Sequence, residues 1–289
     1  MNDLKRIIWI GSFPKSGNTW MRSFLAQYMM PPGEAPDINN LRKFTTGDTR
    51  LDFFDAAAGG KYTPKSIEDW VNTRPKALRL IAASKTGHHF VKTHCQAVYY
   101  KGFDLILPEV TAAAIYIIRN PFDLAPSFAR HLSVDLDAAI DRMTDTESLM
   151  STSAGIAEYL GRWDAHIESW TTAPGLARYV VRYEDMLAKP AKTFNHMLDK
   201  FLRLKIDKPK LARAVKATSF TAMKNQEKEL GFFEKPEGME SFFTKGQSGV
   251  WRGDLTPAQV GRIRQEFLPM IEKWYPEMLK ETAEFAASS

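Results

Sequence analysis

Ile7-Ile8-Trp9-Ile10-Gly11-Ser12-Phe13-Pro14-Lys15-Ser16-Gly17-Asn18-Thr19-Trp20 is the stretch on which the fold turns. Its first four residues form a short apolar run of buried-strand character. Glycine, proline and hydroxyl residues follow, and then a helix-patterned segment from Trp20 to Met29 that ends at Pro31-Pro32-Gly33. A loop between a strand and a helix is an anion site, because helix N-terminal N–H groups and the helix dipole point at it. Lys15 adds a cation; Ser16 and Thr19 add hydroxyl donors. The lysine lies two residues before the second glycine, whereas nucleotide triphosphatases place it directly after.

Further along, His89 to His94 reads as a second buried strand, Ala112 to Ile118 as a third and Ala177 to Tyr183 as a fourth. Asn120-Pro121 is an N-cap followed by proline at the first helical position, opening a helix toward His131. Helices are also expected at Ser66 to Val71, Pro75 to Ser84, Ala154 to Trp170, from Tyr183 to Leu202, and after Thr256, with Pro257 at its first position. Strands alternating with helices predict a single α/β domain over residues 1–289: a parallel β-sheet flanked by helices, with a P-loop-like phosphate-binding loop. Residues 33–65, 132–153 and 231–253 are poorly patterned and are expected to be mobile loops. Their aromatics, Phe44, Phe53, Phe54, Phe232 and Phe233, suggest an apolar or aromatic ligand.

The composition agrees. The chain has 289 residues, 44% of them hydrophobic, and a formal net charge of +5. Such a length buries roughly 75% of the unfolded surface, which excludes fibrous and disordered classes. The sequence pI of about 9.1 favours anionic ligands. Cys95 is the single cysteine, so no intrachain disulfide forms, as in a reducing compartment. No signal peptide is visible, and the longest apolar run, Ala112 to Ile118, is far short of a membrane span. The chain therefore reads as cytoplasmic.

Three further placements carry chemistry. In Val91-Lys92-Thr93-His94-Cys95, strand alternation puts Lys92 and His94 on one face at the strand's end, where open α/β sheets bind ligands. His94 suits a general base; on the residues alone it reads as well as a hydrogen-bonded core histidine. The strand Ala112 to Ile118 ends in Arg119-Asn120, where a nucleotide triphosphatase usually has an acid for Mg²⁺. The arginine grips phosphate and repels a metal. His88, His89 and His94 lack zinc spacing, so no metal is expected.

Pro14-Lys15-Ser16-Gly17-Asn18-Thr19-Trp20 resembles the 5′-phosphosulfate loop of sulfotransferases that use 3′-phosphoadenosine 5′-phosphosulfate (PAPS). Arg119-Asn120-Pro121-x-Asp123-x-x-x-Ser127 resembles their 3′-phosphate motif. Lys92-Thr93-His94, Arg182-Tyr183-Glu184-Asp185-Met186, Thr218-Ser219-Phe220 and Lys245-Gly246-x-x-Gly249-x-Trp251-Arg252 continue the pattern in family order across residues 7 to 260, closest to the cytosolic-type branch.

The resemblance implies metal-independent sulfuryl transfer from PAPS to a hydroxyl or amine of a small molecule, leaving 3′-phosphoadenosine 5′-phosphate (PAP). His94 becomes the base, and Lys15 and Lys92 the electrostatic partners. The donor is held by Lys15, Ser16, Gly17, Asn18, Thr19, Trp20, Arg119, Ser127, Tyr183, Thr218, Ser219, Phe220, Lys245 and Gly246, with Trp20 and Phe220 stacking on adenine. Thr244 stands where the family usually has an arginine before Lys-Gly, and Arg252 is the compensating candidate. No nucleic-acid partner is implied. A short C-terminal dimer motif is not matched, which leaves a homo-oligomer open. The rival readings are a P-loop kinase, which would need magnesium, and a non-catalytic adenosine-nucleotide or RNA-binding module, which gives Lys92 and His94 no use.

Overall fold

The computed structural model describes residues 5–31, 33–152, 155–235, 239–244 and 246–288. Its strands are β1 (Ile7–Ser12), β2 (Thr46–Gly47), β3 (His89–Thr93), β4 (Tyr99–Tyr100), β5 (Phe103–Asp104), β6 (Thr111–Ile118), β7 (Leu149–Ser151), β8 (Ala157–Tyr159) and β9 (Arg178–Arg182). The helices are α1 (Asn18–Met29), α2 (Leu51–Ala58), α3 (Ile67–Ala83), α4 (Pro121–Leu132), α5 (Leu136–Thr144), α6 (Trp163–Thr172), α7 (Tyr183–Ala188), α8 (Pro190–His196), α9 (Lys208–Ala217), α10 (Phe220–Leu230), α11 (Pro257–Trp274) and α12 (Leu279–Ala286).

Five strands form one parallel sheet in the order β2-β3-β1-β6-β9. Strand alternation divides its side chains between two cores. Trp9, Val91, Ala114, Tyr116 and Ile118 face one core, with residues of α4, α6 and α11. Ile10, Phe90, Ile115, Ile117 and Val181 face the other, with residues of α1, α8 and α9. Both faces are covered, which is why these strands read as continuous apolar runs. β1 lies between β3 and β6, so the chain leaves its carboxyl end at a switch point of the sheet, and a crevice opens there.

Several elements differ from the sequence reading. The helix expected over 154–170 starts only at Trp163, and Ala157–Tyr159 pairs instead with β7. Gly155 and Gly161 take left-handed backbone (φ +75° and +56°), which an α-helix cannot accommodate. The two helices expected around Pro75 are one, capped by Ser66, with Pro75 inside it. The helix expected to run from Tyr183 to Leu202 breaks at Lys189, ahead of Pro190. A helix beyond α11, α12, was not foreseen.

The stretch 33–65 contains α2, which buries Phe54 and Ala57. The stretch 132–153 contains α5 and β7, and 231–253 contains a 3-10 turn at Val250–Gly253. Phe54 and Phe232 are buried, and Phe44 packs on Phe90 at 5.4 Å. Of the aromatics singled out in these stretches, Phe233 is the one with a largely exposed ring.

Candidate active site

The phosphate loop is held open by its own sequence. Lys15 and Gly17 both adopt positive φ, +67° and +101°. A Cβ at Gly17 would stand 2.7 Å from the Tyr183 ring, so only glycine fits between the loop and α7. Asn18 Nδ2 donates to Ile10 O at 2.9 Å and Ser12 Oγ at 3.3 Å, bracing the loop against β1. Arg119, at the end of β6, donates from Nη1 to Lys15 O at 2.8 Å and lies 4.6 Å over the Tyr183 ring. One guanidinium thus ties three strand ends together.

A cavity of about 320 Å³ opens on this assembly. Lys15, Gly17, Thr19, Trp20, Arg119, Ser127, Tyr183, Ser219, Phe220 and Gly246 all line it, so the structure brings together most of the residues singled out by sequence. Its volume falls in the range of small-molecule sites. Trp20, Tyr183, Phe220 and Met223 add apolar and aromatic surface to its wall. Lys15 Nζ and Arg119 Nε are buried with no hydrogen-bond partner. Burial, followed by the repulsion of Arg119 and Arg130, lowers the Lys15 pKa to about 7. In this state its ammonium rests 3.4 Å from the Phe242 ring centroid.

Other predicted residues lie outside the cavity lining. Ser16 is buried beneath the loop, its Oγ without a partner. Thr218 ends α9, where its buried hydroxyl donates to Ala214 O at 2.8 Å. Lys245 is outside the described residues. Arg252 donates to Glu281 and to Gly249 O and does not reach the cavity, so the compensation expected of it is absent. Sequence reasoning missed Arg130, Met223, Phe242 and Phe243, which also line the cavity. For Arg130 a signal existed: it follows Ser127 by three positions on α4, hence on the same helix face.

Lys92 and His94 stand at the carboxyl end of β3, beside the end of β1. His94 Nδ1 lies 2.7 Å from Ser12 O, so Nδ1 carries the proton and donates it. Nε2 makes no hydrogen bond among the described residues and keeps its lone pair. Burial, and then the Lys92 charge, hold the pKa well below its usual value; the Ser12 carbonyl opposes them. The segment is fixed from both sides. Asp48 Oδ2 accepts from Thr93 Oγ1 and Arg74 Nη2, each at 2.6 Å. His166 Nε2 donates to His94 O at 2.9 Å, and its Nδ1 accepts from Tyr116 at 2.7 Å. Cys95 is fully buried and its thiol pushed up to about 12, so it is no nucleophile.

The segment from Ser248 to Trp251, whose Val250 lines the cavity, is tied to α4. Asp123 accepts from Ser248 Oγ (3.1 Å), Gly249 N (2.7 Å) and Trp251 N (3.1 Å). Glu184 accepts from Asn120 Nδ2 at 2.7 Å and from Tyr275 at 3.1 Å, joining the ends of β6 and β9. Among the described residues no cluster of three or more His, Cys, Asp or Glu side chains could hold a metal ion.

A parallel sheet with a lysine-bearing loop at its switch point, an arginine beside it and aromatic rings lining the same cavity defines an α/β protein with a cationic and aromatic cavity at the carboxyl ends of its strands. The sequence matches the Sulfotransferase domain family over residues 5–282, and the chain belongs to that family. It is 28% identical to sulfotransferase 1 family member D1 of Mus musculus over 276 residues, covering 92% of this chain and 83% of that one. It is 27% identical to sulfotransferase 1B1 of Canis lupus familiaris, covering 87% and 79%. Its fold resembles that of a mouse sulfotransferase solved with PAP (TM-score 0.62, 17% identity, 99% and 90% of the chains). It also resembles retinol dehydratase solved with retinol and PAP (TM-score 0.65, 18% identity, 94% and 82%). No helix among the described residues is long and apolar enough to cross a membrane.

Proposed function

We propose that this chain, acting as a single domain, transfers the sulfuryl group of PAPS to a hydroxyl, or less readily an amine, of a small molecule, with PAP as product. The observation that carries this reading is the pair of buried, unpartnered cationic donors, Lys15 Nζ and Arg119 Nε, on one cavity with an aromatic recess. Buried cationic donors left without a hydrogen-bond acceptor are costly unless a ligand anion meets them. The PAP named with two structural relatives supports the choice of nucleotide, and a relative named a cytosolic sulfotransferase supports a cytoplasmic setting.

PAPS supplies an activated sulfuryl group. Trp20, Tyr183 and Phe220 hold its base, Arg119 and Ser127 its 3′-phosphate, and the loop from Lys15 to Thr19 its phosphosulfate. His94 Nε2 takes the acceptor proton as the acceptor oxygen bonds to sulfur and the sulfur–oxygen bond to the leaving phosphate breaks. The anionic groups of the donor offset the Lys92 charge beside His94 and raise its basicity. Lys15 stabilises the charge building on the leaving phosphate, and Lys92 that on the sulfuryl oxygens. No step as written needs a metal. The test is sulfuryl transfer from labelled PAPS to a panel of alcohols, phenols and amines. Transfer to at least one acceptor is expected; PAPS binding with no transfer to any acceptor would overturn the catalytic reading.

A further inference from the structure

Arg119, Ser127, Arg130, Thr244 and Gly246 all line the cavity. Resting on the reading of this cavity as the PAPS site, we propose that Arg130 is the second guanidinium ligand of the 3′-phosphate, standing in for the arginine that the family pattern places at 244. Arg130 follows Ser127 by one turn on α4, so both side chains leave the same helix face, and both line the cavity. Its ion pair is loose: Nη1 lies 3.6 Å from Asp254 Oδ2, and the side chain is 36% exposed. A guanidinium has five N–H donors, and this contact leaves a fork available for an oxyanion.

The other nearby guanidiniums are committed. Arg22 donates to both oxygens of Glu234, at 2.9 and 2.6 Å, and also to Thr19. Arg252 is held by Glu281 and Gly249 O. Among the described residues only Arg119 and Arg130 bring arginine charge to the cavity wall, and these are the groups whose repulsion bears on the Lys15 ammonium. Thr244 provides a hydroxyl and no charge. The guanidinium that position 244 lacks is thus supplied by α4.

Titration calorimetry with PAP and with adenosine 5′-phosphate, which lacks the 3′-phosphate, tests this on the full chain. Wild-type protein is expected to prefer PAP. Arg130→Gln should raise the PAP dissociation constant about 10- to 100-fold, the loss of a charge-assisted phosphate contact. It should leave adenosine 5′-phosphate binding within about twofold, which also reports an intact fold. Arg130→Lys should recover part of the PAP affinity, because it restores charge without the fork. An equal loss for both nucleotides, or no loss for either, overturns the assignment of Arg130. A wild-type protein that binds both nucleotides equally would instead overturn the reading of the cavity on which the assignment rests.

Discussion

His94 and Lys15 are both ionisable groups that burial holds toward their neutral forms, with opposite consequences. A neutral imidazole with Nδ1 donated to Ser12 O presents an unprotonated Nε2, the state a base needs. His94→Ala is expected to lower turnover about 10²- to 10⁴-fold while leaving the PAP dissociation constant nearly unchanged. Turnover close to wild type would remove His94 from the mechanism. Lys15, at about pH 7 in the free protein, must be charged to hold a phosphosulfate. Binding therefore favours its protonated form. Affinity is full below pH 7, weakens above it, and is accompanied by proton uptake. Calorimetry at pH 8 in buffers of different ionisation enthalpy should show about one proton taken up per PAP, and none in Lys15→Met. Equal uptake by the two proteins would contradict this.

Among the elements, the segment from Gly246 to Trp251, with Gly246 and Val250 on the cavity wall, hangs on one side chain. Its attachment is Asp123, which no ligand need touch. Asp123→Ala removes these bonds and leaves two backbone N–H groups seeking partners. It should cost about 3 kcal/mol of stability and weaken PAP binding at least tenfold. Unchanged PAP affinity would show that this segment keeps its place without Asp123. Elements of this kind also mark what the sequence makes legible. β1, its loop and α1 are readable because strand alternation, loop composition and helix pattern are local signals. The break between β8 and α6 is not, because it depends on the left-handed backbone of Gly155 and Gly161, and Gly161 packs against Gln96 far along the chain. Sequence likewise names Asn18 and Thr218 for the donor, yet their side chains bond to backbone or to the loop itself. Whether a hydroxyl or amide faces a ligand or a carbonyl is decided by packing. Arg130 escaped notice for the converse reason: no motif contains it, and its place three residues after Ser127 on α4 gains meaning only once the cavity is seen beside that face.

The molecule as a whole buries several histidines in neutral form. Burial lowers His94 well below its usual value, His131 to about 3 and His166 to about 4. Each folded value lies below the unfolded one of about 6.5, so folding disfavours the proton. Stability is full above pH 6.5 and is lost as pH falls through the folded values; His166 alone contributes about 3 kcal/mol to the difference. The melting temperature should decline steadily from pH 6.5 to 4, and a flat profile would show that these rings are reached by water. The central claim is that this cavity is made for an adenosine carrying phosphate at both ends, with no metal between. Calorimetric titration of the wild-type chain with PAP, set against ATP with magnesium, tests it most directly. A PAP dissociation constant in the micromolar range or below is expected, with no saturable binding of magnesium ATP. Tight magnesium ATP binding with none of PAP would contradict it.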